Sequence, residues 1–291
     1  MVQFKKNLKM RKLMSKQHLK KYIGFGVAGN FAHHLEQAGE ASDFVDVKVD
    51  DEKAPKGIFP FYLPNSETFL GTYPLSSQNI VHPRTDEGNL QMEPEVALIC
   101  EIIYENNTVK DIVPNFFTAY NDCSIRKEGA KKISEKKNWG EDTKGISSSI
   151  IAIDKFEDGG VMDSFHIASF LKRDGKIHAY GEDSAVTTYN YFYGQLKDWI
   201  VDKLNTQKDT GPLEDLNSYI KKCNYPEGMV ISIGATSYTD FGESTFLEID
   251  DEIFVYVYDS KIHSFEEILK NAQNNKPDEL TGCSLLHQVI V

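Results

Sequence analysis

The chain has 291 residues, 40% of them hydrophobic and 11% aromatic, which is enough for a sizeable folded core. Its net charge is −12, and residues 1–21 carry eight basic side chains and no acidic one, leaving 24 basic against 44 acidic residues in the rest. A body that acidic repels nucleic acid and anionic membrane, no apolar run is long enough to span a bilayer, and no signal-peptide core opens the chain, so the expected setting is cytoplasmic. Cys100, Cys123, Cys223 and Cys283 lie far apart, without the spacing of a zinc site or a disulfide framework.

Residues 1–21 read as a solvated basic extension, because charge runs are usually that. The domain proper is expected to open with a strand from Tyr22 to Val27 that ends in a Gly-containing turn. Asn30 then stands where a helix N-cap belongs, with Phe31, Leu35 and Ala38 on one face and Gly39 as the stop. Five prolines between Pro55 and Pro83 exclude long regular elements there. Glu95 to Tyr104 is an apolar, β-rich run that predicts a buried strand, and Phe116 to Arg126 and Ser148 to Ile153 predict two more. Ser164 to Lys172 and Lys176 to Tyr180 flank Arg173-Asp174-Gly175 as a hairpin. A helix over Tyr191 to Leu204, strands over Met229 to Ile233 and Glu252 to Tyr258, and a final helix over Ser264 to Ala272 complete the reading. The class is α+β, β-rich, around a mixed and mostly antiparallel core, divided as a 1–21 extension, a 22–260 domain and a 261–291 C-terminal helix and tail.

The chemistry concentrates at Glu93-Pro94-Glu95. Side chains two apart on a strand share a face, so two carboxylates project together and repel unless a cation or a proton intervenes. An Asp at the end of a neighbouring strand, such as Asp122, could close a site of three hard oxygen donors suited to Mg²⁺, Mn²⁺ or Ca²⁺. A solvated acidic strand end is the alternative from spacing alone.

Collinear segments from Ile23 to Tyr258 resemble the fumarylacetoacetate hydrolase superfamily. Gly29-Asn30-Phe31-Ala32-His33-His34 is similar to its G-x-N-Y-x-x-H segment, Met92-Glu93-Pro94-Glu95 to its E-x-E strand, and Asn121-Asp122-Cys123-Ser124-Ile125-Arg126 to its N-D-x-S/T-A-R segment. Lys144-Gly145 falls at the family's lysine pair, and Pro226-Glu227-Gly228-Met229-Val230-Ile231 and Gly234-Ala235-Thr236-Ser237 resemble its P-G-D-V-I and G-T-P segments. The resemblance implies a distorted β-roll, a homodimer, and Glu93, Glu95 and Asp122 as ligands of Mg²⁺ or Mn²⁺. It also implies a small-molecule carboxylic acid substrate, a 2-oxo acid or 1,3-dicarbonyl, with Thr236 and Ser237 beside it. His34, Lys144 and Arg126 are the candidate catalytic groups. His34 would handle a water or a proton, and Lys144 and Arg126 would hold the anionic end.

The departures matter as much. Three residues after His34, where family members commonly place a water-activating Glu, stands Gln37, which cannot take a proton. His33 and Glu36 have the same spacing but are turned about 100° around the helix. Leu63 replaces a frequent Lys, and Ala235 takes the register of the G-T-P threonine. The sequence therefore supports a hydrolase or lyase running C–C hydrolysis, decarboxylation or hydration, or a non-catalytic metal and small-acid binding protein of the same fold. Glu95→Ala or Asp122→Ala is expected to abolish ion binding and spare the fold.

Overall fold

The computed structural model describes residues 11–13, 16–31, 34–39, 44, 47, 51, 53–83, 88–127, 129–274, 277 and 279–291. The backbone of the molecule is a long antiparallel hairpin, Pro94–Glu105 paired with Thr108–Asn121 from Glu105↔Thr108 at the turn to Pro94↔Asn121 at the far end. The first seven residues of Pro94–Glu105 are all buried. Sheet surface is covered on both sides there, which is why the run reads as continuously apolar rather than alternating.

Gly228–Ala235 pairs antiparallel with Pro94–Glu105 on its other edge, and Ile23–Ala28 then joins Gly228–Ala235 in parallel. With Gly57–Tyr62, Ser149–Ala152, Lys144–Ile146 and shorter strands these form a nine-stranded mixed sheet. A second sheet of five strands runs Lys176–Ala185, Phe165–Arg173, Glu252–Asp259, Cys283–Ile290 and Asn79–Ile80. The main core lies between the sheets, where Phe117 of one meets Phe165 of the other edge to face at 4.8 Å. Burying one such ring is worth about 1.5–3 kcal/mol.

The β-rich α+β class, the hairpin at Asp174-Gly175 with both residues at positive φ, and the helices Tyr193–Thr206 and Phe265–Gln273 match the expected elements. The Phe265–Gln273 helix opens with a Ser264/Glu267 capping box. Tyr189 and Tyr193 are buried in the main core. Among the described residues, no helix is long and apolar enough to cross a membrane.

Three expectations need correction. Residues 261–291 do not end as a helix and tail. Cys283–Ile290 is an inner strand of the second sheet, and Ser284 Oγ both donates to the Ser149 carbonyl at 2.7 Å and accepts from the Ala119 amide at 3.0 Å. The basic extension is not all solvated: Arg11–Leu13 pairs with Ser149–Ile151, Leu19 is buried, and the Lys20 carbonyl accepts from Tyr62 Oη. Asn30 is not a helix cap. It is wholly buried, donates to the Ile233 and Tyr191 carbonyls and accepts from the Tyr191 amide, so it ties the end of Ile23–Ala28 to its neighbours. The helix that follows is only His34–Gln37.

Candidate metal centre

The open end of the long hairpin builds the site. Pro94 faces Asn121 and Glu95 faces Tyr120, so Glu93 and Asp122 each lie one residue beyond the last pair. Their backbones are joined as well: the Asp122 amide donates to the Glu93 carbonyl at 2.9 Å, and the Glu93 amide donates to Asn121 Oδ1 at 3.2 Å. Strand alternation turns Glu93 and Glu95 to one face, as the E-x-E spacing predicts. Ligand oxygens of Glu93, Glu95 and Asp122 come within 4.8 Å of one another, and all three residues are buried.

Three cations meet these acids. Lys144, itself fully buried, donates to Asp122 Oδ1 at 2.5 Å. Arg126 is held in three directions: Nε donates to Gln91 Oε1 at 2.7 Å, one terminal nitrogen lies 2.9 Å from Glu93 Oε1, and the other donates to Tyr238 Oη at 3.2 Å. The third is Lys137, whose Nζ stands 2.6 Å from Glu93 Oε2 and 2.6 Å from Asp122 Oδ2. In the sequence Lys137 is one of several lysines, with Lys131, Lys132 and Lys136, and nothing in its spacing sets it apart. Its only signal is position, directly after the Ile133–Lys136 turn, whose Ile133 and Ser134 are buried and so draw the chain inward.

The electrostatics divide the acids. Burial alone would raise Glu93, but the charges of Lys137, Arg126 and His34 outweigh it and hold its carboxyl well below the usual range. Glu95 goes the other way: burial first, then the neighbouring Asp122 and Glu93, push it well above its ordinary value. Its Oε2 accepts from the Gly234 amide at 2.9 Å. Burial also lowers Lys144 from the ordinary lysine value, against the opposing pull of Asp122.

The donor set fits a hard divalent ion. Glu93 Oε1 and Asp122 Oδ2 are buried and receive no hydrogen bond, because their contacts with Arg126 and Lys137 are ion pairs outside hydrogen-bond geometry. The third carboxyl, Glu95, is disfavoured as an anion by burial and by its neighbours Asp122 and Glu93. Three carboxylate oxygens without thiolate are the ligands Mg²⁺ and Mn²⁺ take.

The remaining candidates lie around this cluster. His34 is buried and its Nδ1 donates to the Thr236 carbonyl at 3.0 Å. Thr236 is buried and its amide donates to the Pro94 carbonyl, within the E-x-E segment itself. Ser237 is half-buried at the rim, its carbonyl accepting from the Glu182 amide. Gln37 does not support His34: its amide accepts from the Tyr238 N–H at 2.9 Å and donates to the Tyr238 carbonyl at 3.1 Å. His33 and the Glu36 side chain lie outside the described residues. Tyr238 is the second residue the sequence did not single out: its ring packs on His34 and its hydroxyl donates to the Met92 carbonyl, so it joins the histidine side of the site to Arg126.

Residues 40–290 match the signature of a family of unknown function, DUF5718. No characterised protein matches in sequence. The solved structures most like this one include a provisionally named HpcE protein from Mycobacterium smegmatis, at TM-score 0.53 and 16% identity over 92% of this chain and 74% of that one. Another is 2-keto-3-deoxy-D-arabinonate dehydratase complexed with magnesium and 2,5-dioxopentanoate, at TM-score 0.51 and 13% identity over 96% of this chain and 82% of that one. A third is Cg1458 with inhibitor, at TM-score 0.50 and 17% identity over 92% and 76% of the two chains. These neighbours are members of the fumarylacetoacetate hydrolase superfamily, whose fold this chain shares. The chain belongs to the DUF5718 family, and that family here carries the fumarylacetoacetate hydrolase fold.

Proposed function

We propose that the protein is a divalent-metal-dependent enzyme acting on a small 2-oxo or 1,3-dicarbonyl acid, working as a homodimer in the cytoplasm. The observation that carries this reading is the gathering of Glu93, Glu95 and Asp122, all three buried, with carboxylate oxygens within 4.8 Å of one another. The dehydratase complex with magnesium and a dioxo acid supports the substrate class. When bound, Mg²⁺ or Mn²⁺ would supply Lewis-acid polarisation to a pair of chelating oxygens.

The chain's own residues do the rest. Arg126, fixed by Gln91 and Tyr238, presents a guanidinium to an anionic substrate group. Lys144 adds a positive charge at Asp122. His34, with Nδ1 committed to Thr236, is the group to accept or return a proton. Gln37, which cannot ionise, is engaged with the Tyr238 backbone rather than with the imidazole, which disfavours dyad-driven C–C hydrolysis and favours decarboxylation or dehydration. The engagement of Gln37 with the Tyr238 backbone also supports the second reading, a metal and small-acid binding protein without turnover.

Crystals soaked with Mn²⁺ and oxalate test the site: an anomalous peak in contact with Glu93, Glu95 and Asp122 and chelated by oxalate is the expected result. A peak elsewhere, or none, would overturn the metal assignment. Turnover of 2-oxo-3-deoxy acids and acylpyruvates with Mn²⁺ then separates the enzyme from the binding protein.

A further inference from the structure

Of the three cations at the cluster, Lys137 differs in what it occupies. Lys144 is committed to Asp122 and the Cys123 carbonyl, and Arg126 approaches Glu93 from the Gln91 side. Lys137 instead places its Nζ between two of the three acids, at 2.6 Å from an oxygen of each. An ion ligated by those same acids would stand about 2.0–2.6 Å from their oxygens, in the space the ammonium holds. Two cations that close repel strongly in a buried site.

The ammonium donates to Glu93 Oε2 and forms an ion pair with Asp122 Oδ2. Its carrier also differs from that of Lys144. Lys144 begins a strand paired with Leu75–Ser76 and Asn121–Tyr120, so its backbone is fixed by two neighbours. Lys137 follows a single 3₁₀ turn between strands, its amide donating to the Ser134 carbonyl, and no sheet ladder breaks if its side chain withdraws.

We propose that Lys137 is a tethered counter-cation: it neutralises Glu93 and Asp122 when no divalent ion is present, and ion binding requires its ammonium to leave. The inference rests on the reading of the cluster as a metal centre. It has a reciprocal consequence, since whatever stabilises the ion-free protein by filling the site lowers its affinity for the ion by the same factor. The protein is then stable without metal and responds only to ion concentrations high enough to displace its own lysine.

Mn²⁺ titration by calorimetry and thermal melting of the wild type and Lys137→Met test this, because Met keeps an apolar stem near the Phe59 ring, 5.3 Å from Nζ, and removes the charge. The variant is expected to bind Mn²⁺ at least tenfold more tightly, to melt lower without metal, and to gain more in melting temperature than the wild type when Mn²⁺ is added. Equal Mn²⁺ affinities in the two proteins would overturn the inference and leave the metal centre standing. No Mn²⁺ binding by either, with the variant folded by circular dichroism, would overturn both. If Lys137→Met does not fold, Lys137→Gln serves in the titration. Wild-type crystals soaked in Mn²⁺ give an independent readout: an ion on the three carboxylates with Nζ still bridging Glu93 and Asp122 would overturn the inference.

Discussion

Glu93, Glu95 and Asp122 at the end of the long hairpin, and Glu214 between the helices Tyr193–Thr206 and Leu216–Lys222, are all buried carboxyls, kept in the interior by different means. The cluster is held by cations: Lys144 and Lys137 on Asp122, Lys137 and Arg126 on Glu93. Glu214 has no ion pair among the described contacts. Ser134 Oγ donates to its Oε1 at 2.5 Å, its Oε2 receives nothing, and burial raises its pKa to about 7. A buried acid costs stability unless it is paired or neutral, and this protein uses a cation in one place and a proton in the other. Glu95 belongs with Glu214 in this respect, although it sits inside the cluster.

The largest effect should therefore separate Asp122 from Glu95. Asp122→Ala strands the fully buried Lys144, and breaking a buried pair from one side costs about 3–5 kcal/mol. Glu95→Gln removes a carboxyl whose charged form is disfavoured by burial and by Asp122 and Glu93, and keeps an acceptor for the Gly234 amide, so about 1 kcal/mol or less is expected. Both should abolish Mn²⁺ binding. Urea melts beside Mn²⁺ titrations check the pair, and a loss of this size for Asp122→Ala would overturn the expectation from sequence that it spares the fold. Equal stability losses would show that Glu95 is ionised in the folded protein, collapsing the distinction between the two acids.

Next in size is the pH response of Glu214. Its pKa is near 4.5 unfolded and about 7 folded, so between those values the folded state binds more protons and stability falls as pH rises. The contribution is fully present below about pH 4.5 and lost by about pH 7. The span corresponds to roughly 3 kcal/mol. Glu214→Gln should flatten this part of the stability profile and exceed the wild type above pH 7. A variant that is less stable than the wild type at pH 8 would mean that the carboxylate is ionised and paired there. The result also bears on the site, because Ser134 belongs to the turn that delivers Lys137.

How much of this could be seen in the sequence follows from which interactions are local. Alternation along a strand places Glu93 and Glu95 together without any knowledge of the fold, and the apolar run after them announces a buried strand. Asp122, Lys144 and Arg126 are brought in by the segment pattern, since nothing in their own spacing reveals that Asn121 pairs with Pro94. Lys137 was illegible for a physical reason: Lys131, Lys132, Lys136 and Lys137 look alike in a list of residues, and only the inward turn at Ile133–Lys136 decides which one meets the acids. Cys283–Ile290 is hard to read because its buried positions include the polar Ser284 and Gln288 while the apolar Leu285 and Val289 are only half-buried, so the alternation of apolar and polar residues that marks a strand is scrambled. Arg11–Leu13 was missed because its pairing is made by backbone, which charge does not reveal.

The smallest expected effect concerns Gln37, and it extends the comparison to an acid introduced where neither a cation nor a proton awaits it. From sequence, Gln37→Glu would restore a dyad with His34 and raise turnover of an acylpyruvate. The structure predicts otherwise. The Gln37 amide spans the Tyr238 backbone, accepting from its N–H and donating to its carbonyl, and also donates to Glu243 Oε2 at 3.3 Å. A carboxylate keeps the first of these bonds, loses both donations and faces Glu243 with like charge, while the His34 Nδ1 stays with the Thr236 carbonyl. The loss should be on the order of 1–2 kcal/mol. Both the Glu243 charge and the Tyr238 carbonyl oppose ionisation, so the introduced carboxyl should carry a raised pKa. Its penalty is then present above that value and fades as the pH falls and the group protonates. Thermal melts from pH 4 to 8 should show the gap from wild type narrowing toward acid, with acylpyruvate turnover no higher than the wild type's at any pH. A rise in turnover with stability unchanged would mean that Gln37 leaves Tyr238 in the working protein and that the His34 helix moves to meet its substrate.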